Sequence, residues 1–433
     1  MNKFTKEDLQ LFQAETLGDK FQRTLAKVGE WYGRWNYEVY VSFSGGIDST
    51  VLADICARWC KIIDKPLYLV FVNTGLEYPE IQRHVKDFAQ WLRDKYGIEV
   101  VLDILRPKMR FDEVIKNYGY PMISKEVSNT IAGAKKSIKN GVYSHRLCKL
   151  GVSADEYGGL YDSGKYNYAE NIEGSKYTQY KWRPLIDLDC DFSDICCNIM
   201  KKEPMNEYSK RTGRMPIIGT MAEESMNREN AWFKHGCNAF DAKKPKSTPM
   251  AFWLKQDVLQ YIKQENIPIA SVYGDVVYSD NLDQMCLADF GLGDGSEKLC
   301  TTGCDRTGCI FCGFGCHREK GMSRFQRLKE THPRQYAYCM DGGEYVYRTF
   351  KKDENGEWSE FNLAWEYDDG TPMTEQEIER FVQVHSVGFD GQKEEDLWLK
   401  FEKVWQPNKQ GLGMRHVLDE LNKIYGEDFI KYE

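Results

Sequence analysis

Apolar positions in the first 35 residues recur at helical spacing: Leu9, Phe12, Leu17, Phe21, Leu25, Val28 and Trp31. One or two helices are expected there. The pattern then changes. YEVYVSF (37–43) is a short β-type run, STVLADICARWCKII (49–63) reads as a helix, and PLYLVFVN (66–73) reads as a buried strand. PEIQRHVKDFAQWLRDKYG (79–97) is amphipathic, opened by Pro79 and closed by Gly97. IEVVLDIL (98–105) is another strand. Strands alternating with helices predict an α/β fold, a doubly wound parallel sheet with helices on both faces.

The pattern is less regular further on. MPIIGT (215–220) predicts a strand, AEESMNRENAWF (222–233) a helix, and KQDVLQYIKQEN (255–266) a helix that stops before Pro268. Residues 286–321 are rich in Gly and Cys and have little periodicity. Such a stretch is expected to need a metal or a partner for order. EYVYRTFKKDENGEWSEFNLAWEY (344–367) suggests a hairpin, and the last 40 residues suggest helices.

The 433 residues exceed one simple core, so two or three domains are expected. No apolar run approaches the roughly 20 residues of a membrane helix. The first residues, MNKFTKEDLQLFQAETLGDK, contain no apolar secretory core. A cytoplasmic protein without a membrane partner is the expectation. The net charge of −8 argues against a generic nucleic-acid binder. Three local basic stretches, 134–141, 241–247 and 317–329, still leave room for a nucleic-acid acceptor. The 14 cysteines are expected to be reduced, and five of them crowd into residues 300–316, which is a metal signal.

Candidate chemistry begins with SFSGGIDST (42–50). A loop leaving a parallel strand for a helix lies at the carboxyl edge of the sheet, where ligands bind. Its glycines let backbone N–H groups turn inward, and the helix N-terminus adds positive potential. Ser44 and Ser49 contribute hydroxyls. The result is an anion cradle of phosphate size. It lacks the lysine of a Walker A loop. The loop resembles the PP-loop of the N-type ATP pyrophosphatases. The resemblance implies that Ser44, Gly45, Gly46, Asp48 and Ser49 grip the pyrophosphate portion of ATP with Mg²⁺.

VNTGLEYPE (72–80) resembles the DTG-x-x-FPE element of the PAPS reductase family, with Asn73 in place of the acid. Asn73, Thr74 and Gly75 would then lie beside the adenosine. CCNIMKKEP (196–204) and IGTMAEESMNREN (218–230) resemble the iron–sulfur members, in which CC-x-x-x-K-x-x-P precedes G-x-R-x-x-x-S-x-x-R. The counterparts are Lys201 and Pro204, then Gly219, Ser225 and Arg228; Met221 stands where the first arginine would be. Gly219 and Ser225 join the implied nucleotide site, and Asp48, Ser49 and Arg228 are the implied catalytic groups. Arg228 suits a bidentate phosphate or sulfate clamp, or a plain surface salt bridge.

RTGCIFCGFGC (306–316) supplies a CxxC. By the resemblance, Cys196, Cys197, Cys309 and Cys312 ligate a [4Fe–4S] cluster, with an insertion between the two pairs. Thiolates suit Zn²⁺ as well, and Cys300, Cys304 and Cys316 are alternate ligands. Cys148, beside Arg146 and Lys149, reads equally as a reactive thiol or a structural cysteine.

The resemblance covers roughly 37–330. It implies a PP-loop nucleotide-binding domain (37–235) and a Cys-rich metal-binding region (236–330), and the residue pattern adds an N-terminal helical segment (1–36) and a mixed α+β region (331–433). The implied activity is release of pyrophosphate from ATP coupled to sulfur transfer, with an adenine nucleotide and a sulfur-donor protein as partners. One alternative is a phosphoadenylyl- or adenylyl-sulfate reductase, whose tail cysteine motif is not found; the only cysteine after 316 is Cys339. Another is a nucleotide-binding regulatory subunit without turnover.

Overall fold

Three aliphatic runs, β1 (Val39–Ser42), β2 (Leu67–Val72) and β3 (Val100–Leu105), pair in parallel in a computed structural model. The structure describes residues 2–153, 178–278, 298–354, 356–367, 369–386 and 397–433. β4 (Met215–Ile218) pairs in parallel with the free side of β1. Two short strands, β5 (Asn238–Ala239) and β6 (Lys246–Ser247), complete the sheet in the order β3–β2–β1–β4–β6–β5. Only the β5–β6 pair is antiparallel. The chain winds outward from β1 in both directions, so the crevice beyond the end of β1 is the natural ligand position.

The helices Ile47–Ile63 and Pro79–Tyr96 make the first two crossovers. The first is apolar around most of its circumference, as a helix sandwiched in a core must be. Each ends on a left-handed residue, Asp64 or Gly97. At the bottom of this core Asp54 is fully buried. It accepts hydrogen bonds from Arg58 Nε (3.1 Å), Lys95 Nζ (3.2 Å), and the hydroxyls of Tyr96 and Tyr261 (both 2.7 Å).

The N-terminal segment forms two helices, Lys6–Gln13 and Leu17–Arg34, capped by Thr5 and Thr16. The second packs against the helix Lys255–Glu265: buried Lys20 reaches Asp257 at 2.6 Å, and Trp253 Nε1 donates to Thr24 at 2.8 Å.

The chain divides into two compact units, each discontinuous in sequence. The first joins Met1–Phe111 to Ile195–Cys312, and the second joins Asp112–Asp194 to Gly313–Glu433. This differs from four consecutive segments. After β3 the chain leaves the sheet and returns at residue 195, and the excursion packs with the C-terminal region.

The second unit contains the expected hairpin, Glu344–Lys352 with Trp358–Phe361. A third strand, Leu399–Gln406, pairs antiparallel on the other side of Glu344–Lys352. The expectation of helices in the last 40 residues is therefore corrected in part: among the described residues there, Met414–Tyr425 is helical and Leu399–Gln406 is a strand. The charges of LKFEKVWQ hid the strand. Glu402 lies opposite Arg348 in the ladder, and each charge is engaged within the fold, Glu402 with Lys139 at 3.6 Å and Arg348 with Asp191 at 2.8 Å. The expected helix 222–233 is also broken. Ala222–Glu224 is a single tight turn, and extended Ser225 (φ −170°) precedes the helix Met226–His235. Among the described residues no helix is long and apolar enough to cross a membrane.

Candidate functional site

After β1 the chain turns at Gly45, with φ +75°. A Cβ there would lie 2.8 Å from Ile81 Cγ2, so both the backbone and the space demand glycine. Gly46 precedes the helix Ile47–Ile63, and no side chain caps it. The first N–H groups of that helix are thus presented to an anion. Ser49 fixes the loop from within the first turn. Its Oγ accepts the Ser44 N–H at 3.2 Å, donates to the Gly46 carbonyl at 2.9 Å, and lies 3.0 Å from the Ser44 hydroxyl. Tyr273 supports the loop from outside, with its hydroxyl 3.4 Å from the Ile47 nitrogen and 2.6 Å from Thr307 Oγ1. At the end of β4, Gly219 presses on the same turn: a Cβ there would meet the Asp48 carbonyl oxygen at 2.9 Å.

Asp48 lies in the field of three cations and of Glu223. Burial pushes its carboxyl up from the ordinary value, while Arg306, Arg228 and Lys255 pull it down. Each cation also holds a carboxylate: Arg228 and Arg306 both pair with Glu224, and Lys255 pairs with Asp305. Burial and the Arg306 guanidinium lower the Arg228 pKa from its ordinary value. Met221, at the position of the family's first arginine, is buried in the core, and its N–H donates to Glu224 at 3.0 Å. Ser225 stands at the N-cap of the Arg228 helix without capping it.

At the end of β2, Asn73 Oδ1 accepts the Gly75 N–H at 3.1 Å, which is an Asx turn. The Thr74 hydroxyl donates to Glu77 at 2.6 Å. The Leu76 carbonyl accepts the Ile310 N–H at 2.9 Å, which ties the CxxC loop to this edge of the sheet.

The four expected thiols share one corner. Cys197 opens a π-turn, Asn198–Lys202, that runs into the helix Glu203–Thr212, with Pro204 in its first turn. A hydrogen bond to Cys197 and burial push the Cys196 thiol up, and the nearby Cys312 and Cys309 add to the shift. Burial raises Cys309, against the pull of Lys201. Lys201 is closely surrounded by protein yet open to solvent. Burial works against its charge, but Cys309 and Glu77 outweigh that and hold the ammonium above its ordinary range. Among the described residues, no three side chains of ligand type are set at metal-ion spacing. Of the alternates, Cys300 lies in the short strand Leu299–Thr301 and Cys304 follows it, near Tyr273. Cys316 and Cys148 are buried in the second unit.

A cavity of ≈ 930 Å³ runs along the carboxyl edge of the sheet, lined at its heart by Ser42, Ser44, Val72, Glu77, Lys201 and Thr307. Its lining takes in Ser44 of the loop and, next to the cysteines in the chain, Asn198 and Gly308, all in the first unit. Sequence reasoning missed Arg306, Lys255, Tyr273 and Thr307. Arg306 and Thr307 sit directly before the CxxC, so adjacency to that motif was their one visible signal.

The uncharacterized protein MJ0973 of Methanocaldococcus jannaschii is 23% identical over 342 residues, 79% of this chain and 55% of its own length. The uncharacterized protein MJ0066 of the same organism is 32% identical over 115 residues, 26% of this chain and 22% of its own. The chain therefore spans about half of the first relative and less of the second. NMN synthetase from Francisella tularensis aligns with 59% of this chain and 72% of its own, at TM-score 0.27 and 11% identity. The U34-tRNA thiolase NcsA from Methanococcus maripaludis, solved with its [4Fe-4S] cluster, aligns over 58% and 66%, at TM-score 0.29 and 16% identity. Likenesses this slight have no bearing on chemistry. The phosphoadenosine phosphosulfate reductase domain, in contrast, matches residues 38–140 and 161–313, more than half of the chain. The chain belongs to the phosphoadenosine phosphosulfate reductase domain family, whose PP-loop is the turn between β1 and the helix Ile47–Ile63.

Proposed function

We propose that the chain is an ATP pyrophosphatase that activates an acceptor for sulfur transfer. The observation that carries this reading is the intact loop: an uncapped helix start, braced by Ser49, with Asp48 in the field of Arg306, Arg228 and Lys255. The triphosphate tail of ATP with Mg²⁺ would rest on the N–H groups that open the helix. An acceptor oxygen attacks the α-phosphorus, the bond to the β-phosphate oxygen breaks, and pyrophosphate leaves. Arg228, Arg306 and Lys255 offset the negative charge that builds on the leaving group. A sulfur nucleophile then displaces AMP from the acceptor. Cys196, Cys197, Cys309 and Cys312 suit a [4Fe–4S] cluster in donor type and number, since four soft sulfur donors gather near the Lys201 ammonium. Such a cluster would supply iron that accepts or delivers sulfur. The cytoplasm remains the proposed setting.

The test is pyrophosphate release from ATP and Mg²⁺ by an anaerobic preparation whose iron and zinc are counted. Release with about four irons per chain supports the reading. Sulfite formed from phosphoadenylyl sulfate and thioredoxin would replace it with a reductase. Nucleotide binding with neither product would leave a regulatory subunit. Zinc in place of iron would overturn the cluster alone.

A further inference from the structure

The cavity has a wall that the ATP reading leaves unused. Six lysines line it, and Lys201 is already engaged with Cys309 and Glu77. The other five, Lys202, Lys210, Lys243, Lys244 and Lys246, are exposed. None of the five has an ion-pair partner among the described residues. The neighbouring acids are used elsewhere. Asp241 lies 3.5 Å from Lys3, Glu207 pairs with Lys108 at 2.5 Å, and Glu203 accepts from Asn198 Nδ2 at 2.7 Å. Glu77, the one carboxylate in the lining, is held by Thr74 and Lys201.

In a chain with 66 acidic and 58 basic residues, an uncompensated group of five lysines is a local exception. Like charges gathered without partners repel one another, so the arrangement costs stability unless a ligand supplies the counter-charge. A single small anion would be met by fixed donors. Five long, mobile ammonium groups spread along a wall suit a row of phosphodiesters instead. Half-buried Met205, Met215 and Pro216 offer apolar surface to a base between them.

We propose that this lysine wall seats a single-stranded nucleic acid, whose reacting nucleotide enters the cavity toward Ser44. The inference deepens the reading of the loop as an ATP-dependent activator by naming the class of acceptor.

The test uses the full chain with fluorescein-labelled 12-nucleotide RNA and DNA strands of mixed sequence, followed by anisotropy across salt concentrations. Five phosphate contacts predict a slope of log K against log salt of about −3.5, from roughly −0.7 per contact on single strands. The triple variant K243Q/K244Q/K246Q should show about −1.4, and affinity about two orders of magnitude lower at 0.1 M salt. A control triple at exposed lysines elsewhere, K6Q/K61Q/K86Q, should keep the parent slope. Thermal melts establish that both variants fold. Binding of either strand with these slopes supports the seat, and the preference between RNA and DNA names the source. No binding of either strand, or equal binding by the K243Q/K244Q/K246Q variant, overturns it. Loss of ATP binding by that variant also overturns it, because the lysines would then serve the nucleotide. Pyrophosphate release is measured separately, so failure of the ATP reading is visible on its own.

Discussion

The phosphate loop and the cysteine corner lie on the same edge of one sheet, yet they are held in different ways. The loop is finished. Ser49 binds Ser44 and Gly46, Tyr273 backs Ile47, and Gly219 closes on Asp48. The corner is not. The Cys196 and Cys197 side chains hydrogen-bond to each other, and burial together with neighbouring thiols favours the protonated form of Cys196. A site for a hard anion is assembled from backbone that must be ordered anyway. A site for a soft metal consists of groups that repel one another once ionised, so the metal itself must complete it. The loop should therefore break through its own hydrogen bonds, and the corner through loss of its metal.

The largest effect is expected at the loop. Ser49→Ala removes the acceptor of the Ser44 N–H and the brace on Gly46; Asp48→Ala removes the carboxylate facing Arg306, Arg228 and Lys255. Each should lower the rate of pyrophosphate release by about 10²–10³ or more, while metal content is unchanged. Activity near the parent level would show that this turn does not seat the triphosphate.

Next comes the corner. Cys309→Ala and Cys312→Ala should each lose bound metal and its visible absorption, with a fall in solubility, because the segment before them is irregular. Cys300→Ala should keep the metal. Retention in the first two variants, with loss in the third, would move the site to the alternate cysteines.

Much of this contrast was legible in the chain. The period switch from YEVYVSF to STVLADICARWCKII located the loop, and the Cys-Cys pair and the CxxC, more than 100 residues apart, stood out by their spacing. What stayed hidden depends on the return path. Arg306, Lys255 and Tyr273 come near Asp48 and Ile47 only because the chain re-enters the first unit at residue 195. No local pattern encodes that. Asp54, one of four charges in a mostly apolar helix, gave no sign that Arg58, Lys95, Tyr96 and Tyr261 would converge on it. The strand Leu399–Gln406 was lost because its charges, Lys400, Glu402 and Lys403, read as a solvated helix face.

Acid should separate the two regions again. His84 lies behind the loop, its Nε2 3.2 Å from Thr50 Oγ1, and burial lowers its pKa from 6.5 to about 4. The unfolded chain takes up this proton near pH 6.5, and the folded chain only near pH 4. Stability from this group is thus complete above pH 6.5 and lost as pH falls toward 4, by about 3 kcal/mol across the window. Urea midpoints at pH 7 and pH 4.5 for the parent and His84→Gln should converge at the lower pH. Parallel pH profiles would mean that His84 is not held neutral.

The finest test uses two glycines of opposite surroundings. A Cβ on Gly219 would sit 2.9 Å from the Asp48 carbonyl oxygen and 3.2 Å from Ser49 Cα, and both are backbone atoms that cannot swing aside. A Cβ on Gly308, next to Cys309, would meet nothing within 4 Å. Gly219→Ala must push the start of the helix away from β4, at about 1–3 kcal/mol, and pyrophosphate release should fall with it. Gly308→Ala should change stability by no more than about 0.5 kcal/mol and leave metal content as it was. The pair measures rigidity directly: the loop has no slack, and the corner has room to close on whatever it binds. If Gly219→Ala were as harmless as Gly308→Ala, the helix start would yield to its neighbours, and the claim that the anion site is complete before its ligand arrives would fall.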